Sequence, residues 1–449
     1  MELGVVSTSD VPLAEAFHSL GSFRALVIGD FVLDTYTLGR VKRISPEAPV
    51  PVLEAIRQES RPGGAGNVVL NLLALGGKVK AVGRIGDDLE GKQLLELLEK
   101  AGAESRGLLV SSHYRTPIKN RLIAESQQLL RVDFEKIEDI ASDIEARAIA
   151  HLEEEIKSVQ IVALSDYGKG FLSRPLIAKT IEIAKCFSVP CIVDPKGIAF
   201  TKYRGATLLK PNLGEAYAAA KMGHHTPLEQ VAECLFDMAE IEQLMITKSE
   251  MGISLFNQKG ERSDFPVRSK EVRDVTGAGD TVLAVVCLGL ANGLTLQVAV
   301  QLANIAAGIA IERLGCVQVR LSEIAERLLE TDCQTKIFDR SHTFALQQVL
   351  REKKYSLLVL EKTHAVTGDL LRAVRRIGED SKRALVLYFP PPQPAEELLH
   401  LFSSLQEVKA ILLQKESFQT LCESTPPEEI LFFNGKEVSK KDLSSLTSV

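Results

Sequence analysis

Asp274-Val275-Thr276-Gly277-Ala278-Gly279-Asp280 runs directly into the apolar stretch Thr281 to Leu290, which stops at Asn292-Gly293. The stretch has helical composition, and Asn-Gly is a good C-terminal stop. Small residues just before a helix let a ligand come close to the main chain. The free amides of the first turn point outward there, and the helix dipole adds positive potential. Gly277, Ala278 and Gly279 therefore read as an anion hole for a phosphoryl group. Asp280 stands on the first turn beside it, where a carboxylate can take the proton of an attacking hydroxyl. The competing reading is a plain turn with Asp280 as a helix cap. The flanking Asp-Val-Thr and the long apolar helix favour the catalytic one.

Around this motif the chain alternates short apolar runs with helical segments. Arg24 to Ile28, Ile161 to Leu164, Cys191 to Val193, Ala206 to Leu209 and Leu244 to Ile246 read as buried strands. Pro175 to Lys185 and Leu228 to Ile241 read as helices between them. Buried strands separated by helices imply an α/β fold, a doubly wound parallel sheet covered on both faces. Pro49 to Glu54 and Ile118 to Phe134 break the rhythm. They look extended and alternating, which predicts a small antiparallel β lid over the site.

Of the 31 glycines, only Gly368, Gly378 and Gly435 lie beyond residue 335. That shift divides the chain into a domain over 1–330 and a smaller α/β domain over 337–449, with Leu328 to Lys336 as the linker. In the second domain Ser356 to Leu360, Ala384 to Phe389 and Ala410 to Leu413 are strand-like.

Composition excludes several functions. A net charge of -6 with 25% charged residues offers no nucleic-acid surface. No apolar stretch reaches the length of a membrane span. Met1 to Asp10 has neither a basic nor an apolar signal region, so a cytoplasmic location is expected. The seven cysteines show no Cys-x-x-Cys pair and read as free thiols.

Two further motifs carry chemistry. Gly63-Gly64-Ala65-Gly66-Asn67 precedes a helix; its glycines leave room for a ring against the main chain, and the Asn67 amide can both donate and accept. Lys210-Pro211-Asn212-Leu213-Gly214-Glu215 follows a strand.

Taken with Asp274–Asp280, these segments resemble the ribokinase-like (carbohydrate kinase) family, with Val275 where the family commonly has Thr. The resemblance implies a ribokinase-like fold and ATP with Mg2+ as cofactors. It implies Asp280 as base, and Asp34, Gly63, Gly64 and Asn67 as sugar ligands. Asn212 falls on a phosphate contact. Glu215 falls on a residue acting on Mg2+ through water, as suits a hard cation that keeps its waters. Thr247-Lys248-Ser249-Glu250-Met251-Gly252 resembles the phosphate-tail loop, although Ser249 stands at a family glycine; Thr247, Lys248 and Gly252 are its candidates. Asn304 and Gly308 fall on the helix that borders the adenine.

A closer resemblance, from about Leu26 to Gly315, is to bacterial heptose 7-phosphate kinases. It rests on Arg43 to Val52, Gln127 to Asp133, Ser165-Asp166-Tyr167-Gly168-Lys169-Gly170 and Asp194-Pro195-Lys196-Gly197. It implies transfer of phosphate from ATP to the anomeric hydroxyl of D-glycero-D-manno-heptose 7-phosphate, on the way to ADP-heptose and the lipopolysaccharide core; the assembly expected for the chain is a homodimer. A sugar already carrying phosphate needs cations; Arg43, Arg131, Lys169 and Lys196 are the candidates in these stretches, with no choice among them. In many bacteria such a kinase is fused to a nucleotidyltransferase with a His-x-Gly-His motif. Here His342, His364 and His400 stand alone, so the second domain reads as a degenerate transferase-like domain without that activity. The alternatives are a kinase of another sugar phosphate or a nucleoside, and a non-catalytic sugar-phosphate or nucleotide sensor.

Overall fold

The computed structural model describes residues 13–125, 127–267, 272–313, 315–332, 336–361, 367–379 and 383–440. His364 lies outside them. Their contacts divide the chain into two compact units, one over residues 21–320 and one joining residues 321–440 to the helix Leu13–His18.

In the first unit the strands are β1 (Arg24–Gly29), β2 (Phe31–Ile44), β3 (Pro51–Gly64), β4 (Lys78–Gly86), β5 (Glu104–Ser111), β6 (Ile118–Ala124), β7 (Gln127–Phe134), β8 (Ile161–Ser165), β9 (Cys191–Asp194), β10 (Leu208–Leu209), β11 (Gln243–Thr247), β12 (Ile253–Asn257) and β13 (Arg262–Phe265). Nine of them form one sheet in the order β13-β12-β11-β10-β9-β8-β1-β4-β5. The pairs from β5 to β11 are parallel, as the apolar runs of β1 and β8 require, because such strands are buried on both faces. The expected all-parallel sheet needs one correction: β12 and β13 close the edge antiparallel. They are a hairpin around Asn257, whose side chain accepts from the amides of Lys259 and Glu261.

Helices Arg174–Cys186, Leu213–Ala220 and Leu228–Ala239 pack an apolar core against this sheet, including Leu26, Leu164, Ile177, Val193 and Ile246. Helix Ala278–Ala291 packs against Ala65–Ala74 and Leu296–Ile311. Ten of its residues are buried, which explains an apolar pattern with no polar face.

The accessory sheet is larger than expected, with the order β3-β2-β6-β7. It is mixed rather than antiparallel, because β2 pairs β3 antiparallel and β6 parallel. β2 supplies its spine, in a stretch that carries no simple hydrophobic alternation.

The second unit holds β14 (Ile337–Phe338), β15 (Tyr355–Leu360), β16 (Ala384–Tyr388), β17 (Val408–Leu412), β18 (Glu429–Phe433) and β19 (Val438–Lys440). Their order is β14-β17-β16-β15-β18-β19, parallel except for β19. The stretch read as a linker is helical in its first part: Leu321–Asp332 buries Ile324, Ala325, Leu328 and Leu329 at helical spacing.

Candidate active site

The loops after β8, β9, β10 and β11 and the start of helix Ala278–Ala291 surround a cavity of about 610 Å3. It lies at the carboxyl ends of the parallel strands, where open α/β sheets bind ligands. The size falls within the ~300–1,000 Å3 of small-molecule sites.

The Gly277–Asp280 turn forms one wall of this cavity. Asp274 holds the turn: one carboxylate oxygen accepts from the amide and hydroxyl of Thr276, the other from the amide of Gly315. Gly277 has φ 78°, and a Cβ there would lie 3.0 Å from the Asn67 amide nitrogen and 3.1 Å from the Cys316 sulfur. The position therefore requires glycine on two grounds, conformation and space. Asp280 follows on the first helical turn and is 5% exposed. Its two oxygens each accept a hydrogen bond, from the Tyr167 hydroxyl at 2.7 Å and from the Asn67 amide at 2.7 Å. Burial raises its pKa, and these two donors with Lys210 pull it back down.

Tyr167 sits on a loop organised by Asp30, whose carboxylate accepts from the amides of Tyr167, Lys169 and Phe171. Deeper in the cavity Lys210 (3% exposed) pairs with Asp194 at 2.8 Å. Burial pushes the Asp194 carboxyl up to about 6 against the pull of that lysine. Lys210 also flanks the amide turn: its ammonium lies 3.6 Å from where a Cβ on Gly279 would stand. Asn212 and Glu215 form a capping box on helix Leu213–Ala220, and Glu215 also pairs with Lys196 at 2.6 Å.

Of the residues named from sequence, Gly277, Ala278, Gly279, Asp280, Lys196, Asn212, Glu215, Thr247, Gly252 and Asn304 line the cavity. Lys248 does not; it pairs with Asp264. Gly308 is buried on helix Leu296–Ile311, outside the lining. Asp34, Gly63, Gly64 and Asn67 are not part of the cavity lining. Asn67 touches the Asp280 carboxylate, and Asp34 (5% exposed) is held by Arg121 at 2.6 Å. Gly63 backs directly onto Asp34, leaving no room for a Cβ. Gly64 ends β3. Arg131 pairs with Asp133, Lys169 with Glu135, and Arg43 is exposed near the tip of β2. Tyr167, Asp194 and Lys210 were quoted inside motifs, yet nothing local marked them as site residues. Arg121 and Lys119, two apart on β6 and so on one face, carried a signal that the alternation rule could have used.

The same arrangement of layers is found in a solved sugar kinase. The ribokinase of Arabidopsis thaliana, solved with ribose and ATP, superposes with a TM-score of 0.54 at 18% identity, over 69% of this chain and 99% of that one. Sheet, lid and amide turn thus define a ribokinase-like α/β fold. Residues 24–322 match the profile of the pfkB family carbohydrate kinases. The chain belongs to that family. It is similar to the bifunctional protein HldE of Trichlorobacter lovleyi, at 40% identity over 81% of this chain and 76% of that protein. It is also similar to the bifunctional protein HldE of Citrifermentans bemidjiense, at 37% identity over 89% and 86%. Among the described residues no helix is long and apolar enough to cross a membrane.

Proposed function

We propose that the chain transfers the γ-phosphate of ATP to the anomeric hydroxyl of D-glycero-D-manno-heptose 7-phosphate, giving the 1,7-bisphosphate and ADP for ADP-heptose synthesis. The observation that carries this reading is the pairing of Asp280 with the amide turn Gly277–Gly279 at the wall of one cavity. Asp280 takes the proton of the anomeric hydroxyl as that oxygen attacks phosphorus in line. The amides of the turn and the Lys210 ammonium stabilise charge on the phosphoryl group in transit. Asn67 and Asp34 orient the sugar; Asn212, Thr247 and Gly252 border the phosphates, and Asn304 borders the base. Glu215 and Asp194 are carboxylates on the cavity wall, and Glu215 would hold Mg2+ through water in exchange for its lysine partner, as suits a hard cation that keeps several waters. Bound there, Mg2+ supplies positive charge to the phosphate oxygens.

The choice of heptose phosphate rests on the four motif matches and the HldE relatives. Purified protein with ATP and Mg2+ is offered heptose 7-phosphate, fructose phosphates, ribose and adenosine, and the products are read by mass. Preferential gain of one phosphate by the heptose phosphate supports the reading. Preference for another acceptor, or ATP binding with no transfer at all, overturns it.

The relatives are named bifunctional, yet we read the second unit as lacking nucleotidyl transfer. The junction between β14 and helix Thr343–Arg351, the first strand-to-helix turn of its sheet, is Asp339-Arg340-Ser341-His342, with no glycine and with the Asp339 carboxylate accepting from the Ser341 amide and hydroxyl, rather than a small-residue phosphate loop. Formation of ADP-heptose from ATP and heptose 1-phosphate would reverse this. The exposed Ile56 and Leu130, close to one level across the accessory sheet, support a homodimer through that sheet. The ATP requirement suits the cytoplasm.

A further inference from the structure

The accessory sheet has a charged face. Strand register puts Lys119 beside Asp34 and Asp133, and Arg121 beside Tyr36 and Arg131. The carboxylates there are already paired: Asp34 with Arg121, Asp133 with Arg131, and the neighbouring Glu135 with Lys169. Lys119 is the cation left over. It is half-buried and, among the described residues, has no carboxylate in ion-pair range. Lys169 and Arg131 stand close enough to disfavour its charge, Asp34 and Glu135 favour it, and burial lowers its pKa overall. Its ammonium lies over the face of the Tyr167 ring, 5.4 Å from the ring centroid.

That contact locates the lysine relative to the chemistry. The hydroxyl at the far end of the same ring donates to Asp280 at 2.7 Å. A sugar laid along Tyr167, with its reacting hydroxyl on Asp280, turns its other end toward Lys119. A surplus cation in a half-buried, locally positive place favours an anion, and a phosphate monoester brings about -1.5 to -2 charges at neutral pH.

We propose that Lys119, with Arg121 beside it, forms an anion subsite on the accessory sheet that takes the phosphate group carried by the acceptor sugar itself. This rests on the reading of the acceptor as a sugar phosphate, and it assigns a recognition role to residues outside the segments that suggested that substrate. The subsite selects a phosphorylated sugar over its unphosphorylated counterpart.

The test compares wild type, Lys119→Met and Lys119→Arg in the full chain. With ATP and Mg2+, kcat/KM is measured for heptose 7-phosphate and for the unphosphorylated heptose. In Lys119→Met the preference for the phosphorylated sugar falls about 10–100-fold, the range for losing a hydrogen bond to a charged group. Lys119→Arg, which keeps the charge, restores most of it. A preference unchanged in Lys119→Met overturns the proposal. Independently, inorganic phosphate is titrated onto protein whose nucleotide cavity is saturated with a non-hydrolysable ATP analogue. Binding that weakens at least ~10-fold in Lys119→Met supports the subsite, and equal binding refutes it. If wild type phosphorylates neither sugar, the functional reading fails, and the phosphate titration still decides whether the anion subsite exists.

Discussion

Asp280 is under two opposed influences. Burial raises its pKa, while Asn67 and Tyr167 stabilise the carboxylate by donating to it. A general base works above its pKa and fails as pH falls through it. Tyr167→Phe removes one lowering donor, so the Asp280 pKa rises and the acid limb of the kcat/KM profile moves to higher pH. Asp194, pushed up to about 6, titrates in the same region, so the informative quantity is the difference between variant and wild type. An acid limb that does not move would show that the hydroxyl has no influence on the base. Neither partner of Asp280 was legible as such. They lie 113 and 213 residues away along the chain, and no local pattern encodes a contact made only when β8 and helix Ala65–Ala74 meet helix Ala278–Ala291.

At the scale of elements, the helix that carries Asp280 was the most legible part of the chain. A run apolar on every side, opened by small residues and closed by Asn-Gly, has few other solutions. Its entry turn gives a sharp prediction. Gly277→Ala places a side chain at φ 78°, which costs about 1–2 kcal/mol. It also drives the new Cβ against the Asn67 amide. Both melting temperature and turnover should drop. Normal values for both would contradict the close approach. The accessory sheet was legible only in part. Extended segments were visible at Pro51 and from Ile118 onward, but β2 was not, because the strand passes from a buried root to an exposed tip and mixes both patterns. The parallel pairing of β2 with β6 depends on residues far apart in sequence and left no local trace.

At the scale of the whole molecule, the change in glycine content reads as a boundary at residues 330–337, whereas the compact units divide between Arg320 and Leu321. It could not reveal that helix Leu13–His18 belongs with the second. Phe17 in that helix is fully buried, with its ring 5.8 Å from Phe344. Phe17→Ala should destabilise the second unit by about 3–5 kcal/mol, read by calorimetry, while ATP-dependent turnover stays at the wild-type level. Unchanged stability would remove the helix from that core. The central claim concerns the full chain acting on its acceptor: a carboxylate beside an amide turn removes the hydroxyl proton during phosphoryl transfer. Its most direct test is the turnover of Asp280→Asn with ATP, Mg2+ and the heptose phosphate, beside the affinity of the same variant for ATP. The account predicts a fall in kcat of about 10²–10⁴-fold with ATP affinity essentially retained. Turnover close to that of the wild type would contradict it.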